Sequence, residues 1–405
     1  MAHADRTSAR IGLWLPLTLM TLVQTFSTMS TLTMAAVAPE ASRTLGLPAA
    51  VIGYQVSLVY LSGIATSLIG GALVRRFGAC LISQAALALT VTGCLMLASA
   101  SVAAAILGSL VLGFGYGLTN PAASHLLGRV AGGRLNLVFS IKQTGVPLGG
   151  VLAGALMPFV ALAAGWPAAL ITAAVLAGAL ALALERVRVA WDDDRDPNYP
   201  LRQKPFETIL LVAGDRVLCW LAVASFGYSF IQLSSVTFLV TMLVEDVGLS
   251  LVTAGLLLST TQISGALGRI WWGWFADTIG SSLRTLAIIG ALMMAAGVAT
   301  SMIGPSWPIW KIATVLVVFG ATTIGWNGVF LAAVAGSSRP EQIGAATGGS
   351  LSVTFAGVMA GPASFAAIHS SLDISLVATY GLLSLVALAS LACLWRAMHA
   401  QRSAA

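Results

Sequence analysis

Twelve stretches of roughly 20 mostly apolar residues, separated by short charged or Gly/Pro-rich breaks, run from one end of the sequence to the other. A helix of that length crosses the hydrocarbon layer of a bilayer, and inside lipid a backbone must satisfy its own hydrogen bonds. The stretches are 11–38, 51–74, 79–99, 102–125, 136–163, 166–184, 217–243, 251–275, 285–304, 308–335, 343–368 and 374–395. None sustains the period-2 alternation of a barrel strand, so the chain reads as an all-α integral membrane protein. Only 8% of its 405 residues are charged and 58% are hydrophobic, too little charge to cover a water-facing surface of this size. The first span is too long for a signal-peptide core and reads as a retained membrane helix. Cys80, Cys94, Cys219 and Cys393 sit singly in apolar runs, a spacing that suggests neither a disulfide framework nor a zinc site.

Orientation follows from the cations. With both termini cytoplasmic, sixteen of the 20 Lys and Arg fall in inside segments, Arg43 and Lys311 fall outside, and Lys142 and Arg269 lie within spans. The net charge of +6 is thereby accounted for without a nucleic-acid partner. The polar stretch 189–208, with Trp191-Asp192-Asp193-Asp194-Arg195-Asp196-Pro197, leaves six spans on either side. The expected domains are an N-terminal six-helix bundle over 1–188, a solvated cytoplasmic linker over 189–208, and a C-terminal six-helix bundle over 209–405.

Gly71-Ala72-Leu73-Val74-Arg75-Arg76-Phe77-Gly78 follows span 2, and Gly273-Trp274-Phe275-Ala276-Asp277-Thr278-Ile279-Gly280 follows span 8, the same place in each half. Glycines bracketing charged residues suit a tight turn at the cytoplasmic surface. This repeat resembles the loop of the major facilitator superfamily (MFS), Gly-x-x-x-Asp-Arg-x-Gly, found between helices 2 and 3 and echoed between 8 and 9. With twelve spans and a central loop, the resemblance covers the whole chain. It implies two pseudo-symmetric bundles, transport by alternating access, a small-molecule substrate and no cofactor. Two departures stand out. Arg75 occupies the usual Asp position while Arg76 matches, and the second copy keeps Asp277 but has Thr278 in place of Arg. The family's helix 4 Arg is also replaced, by Ser109 before Gly113-Phe114-Gly115, which counts against proton antiport. Gly145, Gly149, Gly150 and Gly154 in span 5, and Gly357 and Gly361 in span 11, allow either flexing or close helix packing.

All 14 acidic residues lie outside these twelve stretches, so a cationic substrate would find no carboxylate near the bilayer centre. Lys142 and Arg269 do lie within them, about 9 Å beyond the start of span 5 and about 12 Å before Asp277. A central Lys or Arg costs on the order of 2.5 to 3.5 kcal/mol on insertion scales. The expectation is that both face a watery cavity and bind an anion; the alternative is that each snorkels to the interface. Gly268-Arg269, followed by Gly273 and Asp277, resembles helix 8 of oxalate and monocarboxylate transporters, where the matching Arg contacts the substrate carboxylate. Lys142-Gln143-Thr144-Gly145 is similar to transporters of the cyanate and nitroimidazole type.

Family architecture places helices 1, 4, 7 and 10 around the cavity. That nominates Gln24, Thr28 and Thr31; Tyr116 and Asn120; Tyr228, Gln232 and Ser235; and Thr323, Trp326 and Asn327, each set on one helical face. Such polar groups also serve as glue between helices. His125 is the one histidine near a span end placed to titrate. No set of nucleophile, base and oxyanion donors emerges and no phosphate-binding loop is present, so neither an enzyme nor an ATP-driven pump is expected.

The reading is a monomeric inner-membrane carrier, symporter or exchanger, for a small organic anion such as a carboxylate, held between the halves. Arg269 supplies the principal charge, Lys142 the second, and Gln143 and the amide and aromatic groups orient the ligand. A coupled proton would travel on the substrate or through His125. Gly71, Arg75, Arg76 and Gly78 with Gly273, Asp277 and Gly280 form the expected cytoplasmic latch, Asp277 facing Arg134 and Arg75 facing Glu341. The alternative is efflux of neutral amphipathic compounds against aromatic and apolar walls.

Overall fold

The computed structural model describes residues 12–130, 135–201, 205–339 and 342–404. Their regular structure is helical: α1 Trp14–Ala36, α2 Ala38–Leu45, α3 Ile52–Phe77, α4 Ala79–Ala98, α5 Val102–Val130, α6 Leu135–Gln143, α7 Gly145–Ala164, α8 Trp166–Trp191, α9 Pro205–Gly214, α10 Arg216–Glu245, α11 Leu251–Ile279, α12 Ser282–Thr300, α13 Ile309–Thr323, α14 Asn327–Gly336, α15 Ile343–Leu372 and α16 Leu376–Ala404. Eleven segments are long and apolar enough to cross a membrane, counting Ile141–Ala164 and Ile309–Gly336 as one each. Helix α1 is not among the eleven. Its many Thr and Ser residues lower its hydropathy, yet most of its second half is buried, and several of its threonine hydroxyls turn back onto their own backbone. Thr25 donates to Thr21 O at 2.8 Å, Thr31 to Ser27 O at 2.9 Å and Thr33 to Met29 O at 2.8 Å.

Three expectations are corrected. Spans 5 and 10 are each broken, the first at Thr144 and the second over Ile324–Trp326, where helical periodicity alone reads one helix. Helices α8, α10 and α11 run past their expected ends and take in Glu185, Glu245 and Asp277, because helix propensity and side-chain pairing carry a helix beyond its apolar window. Lastly, in each loop signature the first glycine is helical, Gly71 in α3 and Gly273 in α11, and the turn falls on the last. Gly78 and Gly280 take φ of +100° and +68°, values that glycine alone adopts without strain.

The chain gathers into two compact units, Met1–Val37 with Leu58–Gln203, and Ala38–Ser57 with Lys204–Ala405. In the first, Leu17, Met20 and Val23 of α1 pack with Leu87 of α4, Leu126 of α5 and Leu184 of α8. Helices α3 and α5 approach so closely that a Cβ on Gly113 would sit 2.0 Å from Val59 O. Gly145 and Gly149 lie equally hard against Thr21 O and Thr25 O, at 2.7 and 2.5 Å from an added Cβ. In the second unit Gly357 and Gly361 do the same against Phe226 O and Phe230 O, at 2.2 and 2.5 Å. Close packing therefore accounts for Gly145, Gly149, Gly357 and Gly361 in this conformation.

The start of the linker is docked rather than solvated. Asp192 is buried and caps α4, accepting from Cys80 N at 2.7 Å and Leu81 N at 2.9 Å. Burial pushes its carboxyl above the ordinary carboxylate range, an effect the two backbone donors oppose. Asp193 and Asp194 pair with Arg129 at 2.7 and 2.8 Å, and His125 Nε2 lies 2.7 Å from Asp194 Oδ2. Asp196 N donates to Arg75 O at 2.8 Å, and the Arg75 guanidinium stands over the Tyr199 ring. Trp191 and Asp192 are thus anchored to the bundle, while residues 193–198 stay exposed as the composition of this stretch suggests.

Candidate functional site

The first unit carries one polar centre in its interior, built around Lys142 at the end of α6. Its side chain is 2% exposed, which rules out snorkelling in this conformation. The ammonium donates to Gln24 Oε1 of α1 at 2.9 Å, to Asn120 Oδ1 of α5, and to Gln143 Oε1 beside it at 3.2 Å. Three N–H donors thus meet three amide oxygens, the full capacity of the group. Among the described residues no carboxylate lies within ion-pair distance of it. Gln24 is fixed from behind by its Nε2, which donates to Thr28 Oγ1 at 3.2 Å, while the Thr119 hydroxyl lies 3.2 Å from its Oε1 and 2.8 Å from Tyr116 O, to which its one proton is better placed to go. Gln24 is fully buried, Asn120 half-buried and Gln143 exposed, so the centre is enclosed most tightly at the Gln24 end. Tyr116 lies one turn before Asn120, its ring edge-on to Tyr60 at 5.4 Å.

The second unit carries another centre, at the break between α13 and α14. A broken helix leaves carbonyls without intrahelical donors, and in lipid these must be satisfied from elsewhere. Half-buried Arg269 of α11 donates through Nε to Ile324 O at 3.1 Å, and Trp272, three residues on, donates through Nε1 to Ala321 O at 2.9 Å. Gln232 of α10 accepts from Trp326 Nε1 at 3.0 Å and from Asn327 Nδ2 at 3.3 Å. Tyr228 and Trp326 stand edge to face at 5.5 Å, both buried, with the Tyr228 hydroxyl donating to Leu286 O at 2.7 Å. They pack as core in this conformation. Arg269, Gln232, Trp326 and Asn327 are therefore brought together by one helix interruption, and Arg269 commits part of its guanidinium to holding it.

Thr119 and Trp272 are polar partners that sequence reasoning did not single out. Each had a positional signal, since Thr119 adjoins Asn120 and Trp272 follows Arg269 at the i+3 spacing of a shared face. Of the latch residues, Gly71, Arg75, Gly280 and Asp277 are exposed, Arg76 and Gly273 are half-buried and Gly78 is buried under Asp192; Arg134 and Glu341 lie outside the described residues. His125 is engaged by Asp194 rather than placed at the Lys142 centre. Two unit-internal cationic centres lined by amides can hold an anion by charge and hydrogen bonding. Among the described residues no group of His, Cys, Asp and Glu is arranged to hold a metal ion.

Comparison with known proteins bears on the family and the fold. An uncharacterised MFS-type transporter of Mycobacterium tuberculosis, present in two strains, is 32% identical over 179 residues. That match spans 40% of this chain and 37% of the relative, well under half the relative's length. A solved nucleoside transporter superposes with a TM-score of 0.76 at 16% identity, covering 96% of this chain and all of that one. A solved peptide transporter gives 0.77 at 18% identity, covering 98% and 99%. At these identities the two structures speak for the fold alone. The profile described as Major Facilitator Superfamily matches residues 18–362, most of the sequence, and the chain belongs to that family of membrane transporters.

Proposed function

We propose that this protein carries a small organic anion, a carboxylate in the simplest case, across the inner (plasma) membrane by alternating access. The accompanying topology is twelve spans with both termini cytoplasmic, six to each bundle. The observation that carries the proposal is the Lys142 ammonium, buried among neutral oxygens with no carboxylate beside it among the described residues. Enclosing a cation without counter-charge costs several kcal/mol even after hydrogen bonding, and a bound carboxylate offsets that cost directly. A neutral or cationic substrate would not. Arg269 adds a second cation in the other unit, its Nε donating to Ile324 O and its planar fork of the shape that suits a carboxylate.

A thermal-shift screen of purified protein against carboxylates, neutral amphipaths and organic cations tests the reading. Stabilisation by at least one carboxylate, diminished in Lys142→Gln, is expected. Stabilisation by neutral amphipaths alone, undiminished in Lys142→Gln, would contradict the anion reading and favour a carrier of neutral compounds.

A further inference from the structure

Resting on the anion reading, we infer that the amide oxygens of Gln24, Asn120 and Gln143 are a resident stand-in for the transported anion, which lets the carrier complete its cycle without cargo and so perform net transport instead of obligatory exchange. The three oxygens come from three helices, α1, α5 and α6, and they fill all three donor positions of the ammonium. A carboxylate reaching Lys142 therefore enters by substitution, displacing at least one amide. The three are unequal in how easily they leave. Gln24 is fully buried and donates to Thr28, Asn120 is half-buried and Gln143 is exposed.

When the anion departs, the amides return to Lys142. Without them, an ammonium closed into the bundle would lack acceptors, a state strongly disfavoured in a low-dielectric interior. A carrier of that kind closes readily only when loaded, and every outward trip then needs an inward one with cargo. Three neutral oxygens remove that restriction without binding the ammonium as tightly as an anion does. An acid in place of one amide would overshoot, giving Lys142 a permanent counter-charge that excludes the substrate.

Proteoliposomes test this with labelled pyruvate, oxalate and succinate, following efflux into anion-free buffer and counterflow against unlabelled anion. Wild type is expected to show both, for at least one of the three. Asn120→Leu and Gln24→Met should slow efflux about tenfold or more relative to counterflow. Asn120→Asp, nearly isosteric, should abolish both while eluting as a folded monodisperse protein with an unchanged or raised Tm. Equal losses of efflux and counterflow in Asn120→Leu and Gln24→Met, full activity in Asn120→Asp, or counterflow without efflux in wild type would each overturn the stand-in while leaving the anion reading intact. No flux of any of the three anions in wild type would remove the anion reading, and the stand-in with it.

Discussion

A single buried ammonium organises the first unit, and its neighbours show how much one residue position can decide. Lys142 was conspicuous in the sequence because a cation inside an apolar run is expensive, and Asn120 and Gln24 lay on faces that the family turns inward. Their convergence on one atom was not legible, since it depends on the crossing of α1, α5 and α6 in space. Arg269 shows the converse. Its charge was conspicuous, but its bond to Ile324 O follows from a helix break that no local pattern announced. Glycines discriminate at the same scale. Gly113→Ala would place a methyl 2.0 Å from Val59 O and force α3 and α5 apart, for an expected loss of roughly 1–3 kcal/mol in unfolding free energy. Gly71→Ala meets nothing within 4 Å inside a helix and should be neutral or stabilising by up to about 1 kcal/mol, so thermal unfolding of the two variants should move in different directions.

Elements were read well where hydrophobicity alone sets them and poorly where side chains finish them. Eleven of the twelve apolar windows correspond to helical segments long and apolar enough to cross a membrane, because lipid leaves a backbone little alternative. The Asp192–Asp194 run looked like a solvated linker because its partners, Arg129, His125 and the start of α4, lie far back in the chain. Asp192→Ala should cost about 1–2 kcal/mol by uncapping α4, with Asp192→Asn losing less because an amide oxygen still accepts. Urea or thermal unfolding in detergent measures both, and equal Tm values for wild type and Asp192→Ala would show that the cap contributes nothing. At the break in span 10, Trp272→Phe keeps the ring and removes the donor to Ala321 O. The expected loss is about 1–3 kcal/mol, together with faster hydrogen exchange over residues 321–327.

At the scale of the whole molecule, family membership rests on a match over residues 18–362, and solved transporters at 16–18% identity share the helical fold. The family was readable from the run of apolar spans and the paired loop signatures, since both repeat along the chain. Cargo was not, because fold fixes only where a site can be and the site's few polar groups fix what it accepts. The account therefore turns on whether the Lys142 charge selects the cargo. The most direct measurement is initial uptake of labelled pyruvate, oxalate and succinate by proteoliposomes holding wild type or Lys142→Gln at equal density. Wild type should take up at least one anion, with inhibition by other carboxylates, and Lys142→Gln should lose about tenfold or more of that uptake while keeping its fold. Undiminished anion uptake by Lys142→Gln, or a wild type that moves only neutral or cationic compounds, would contradict it.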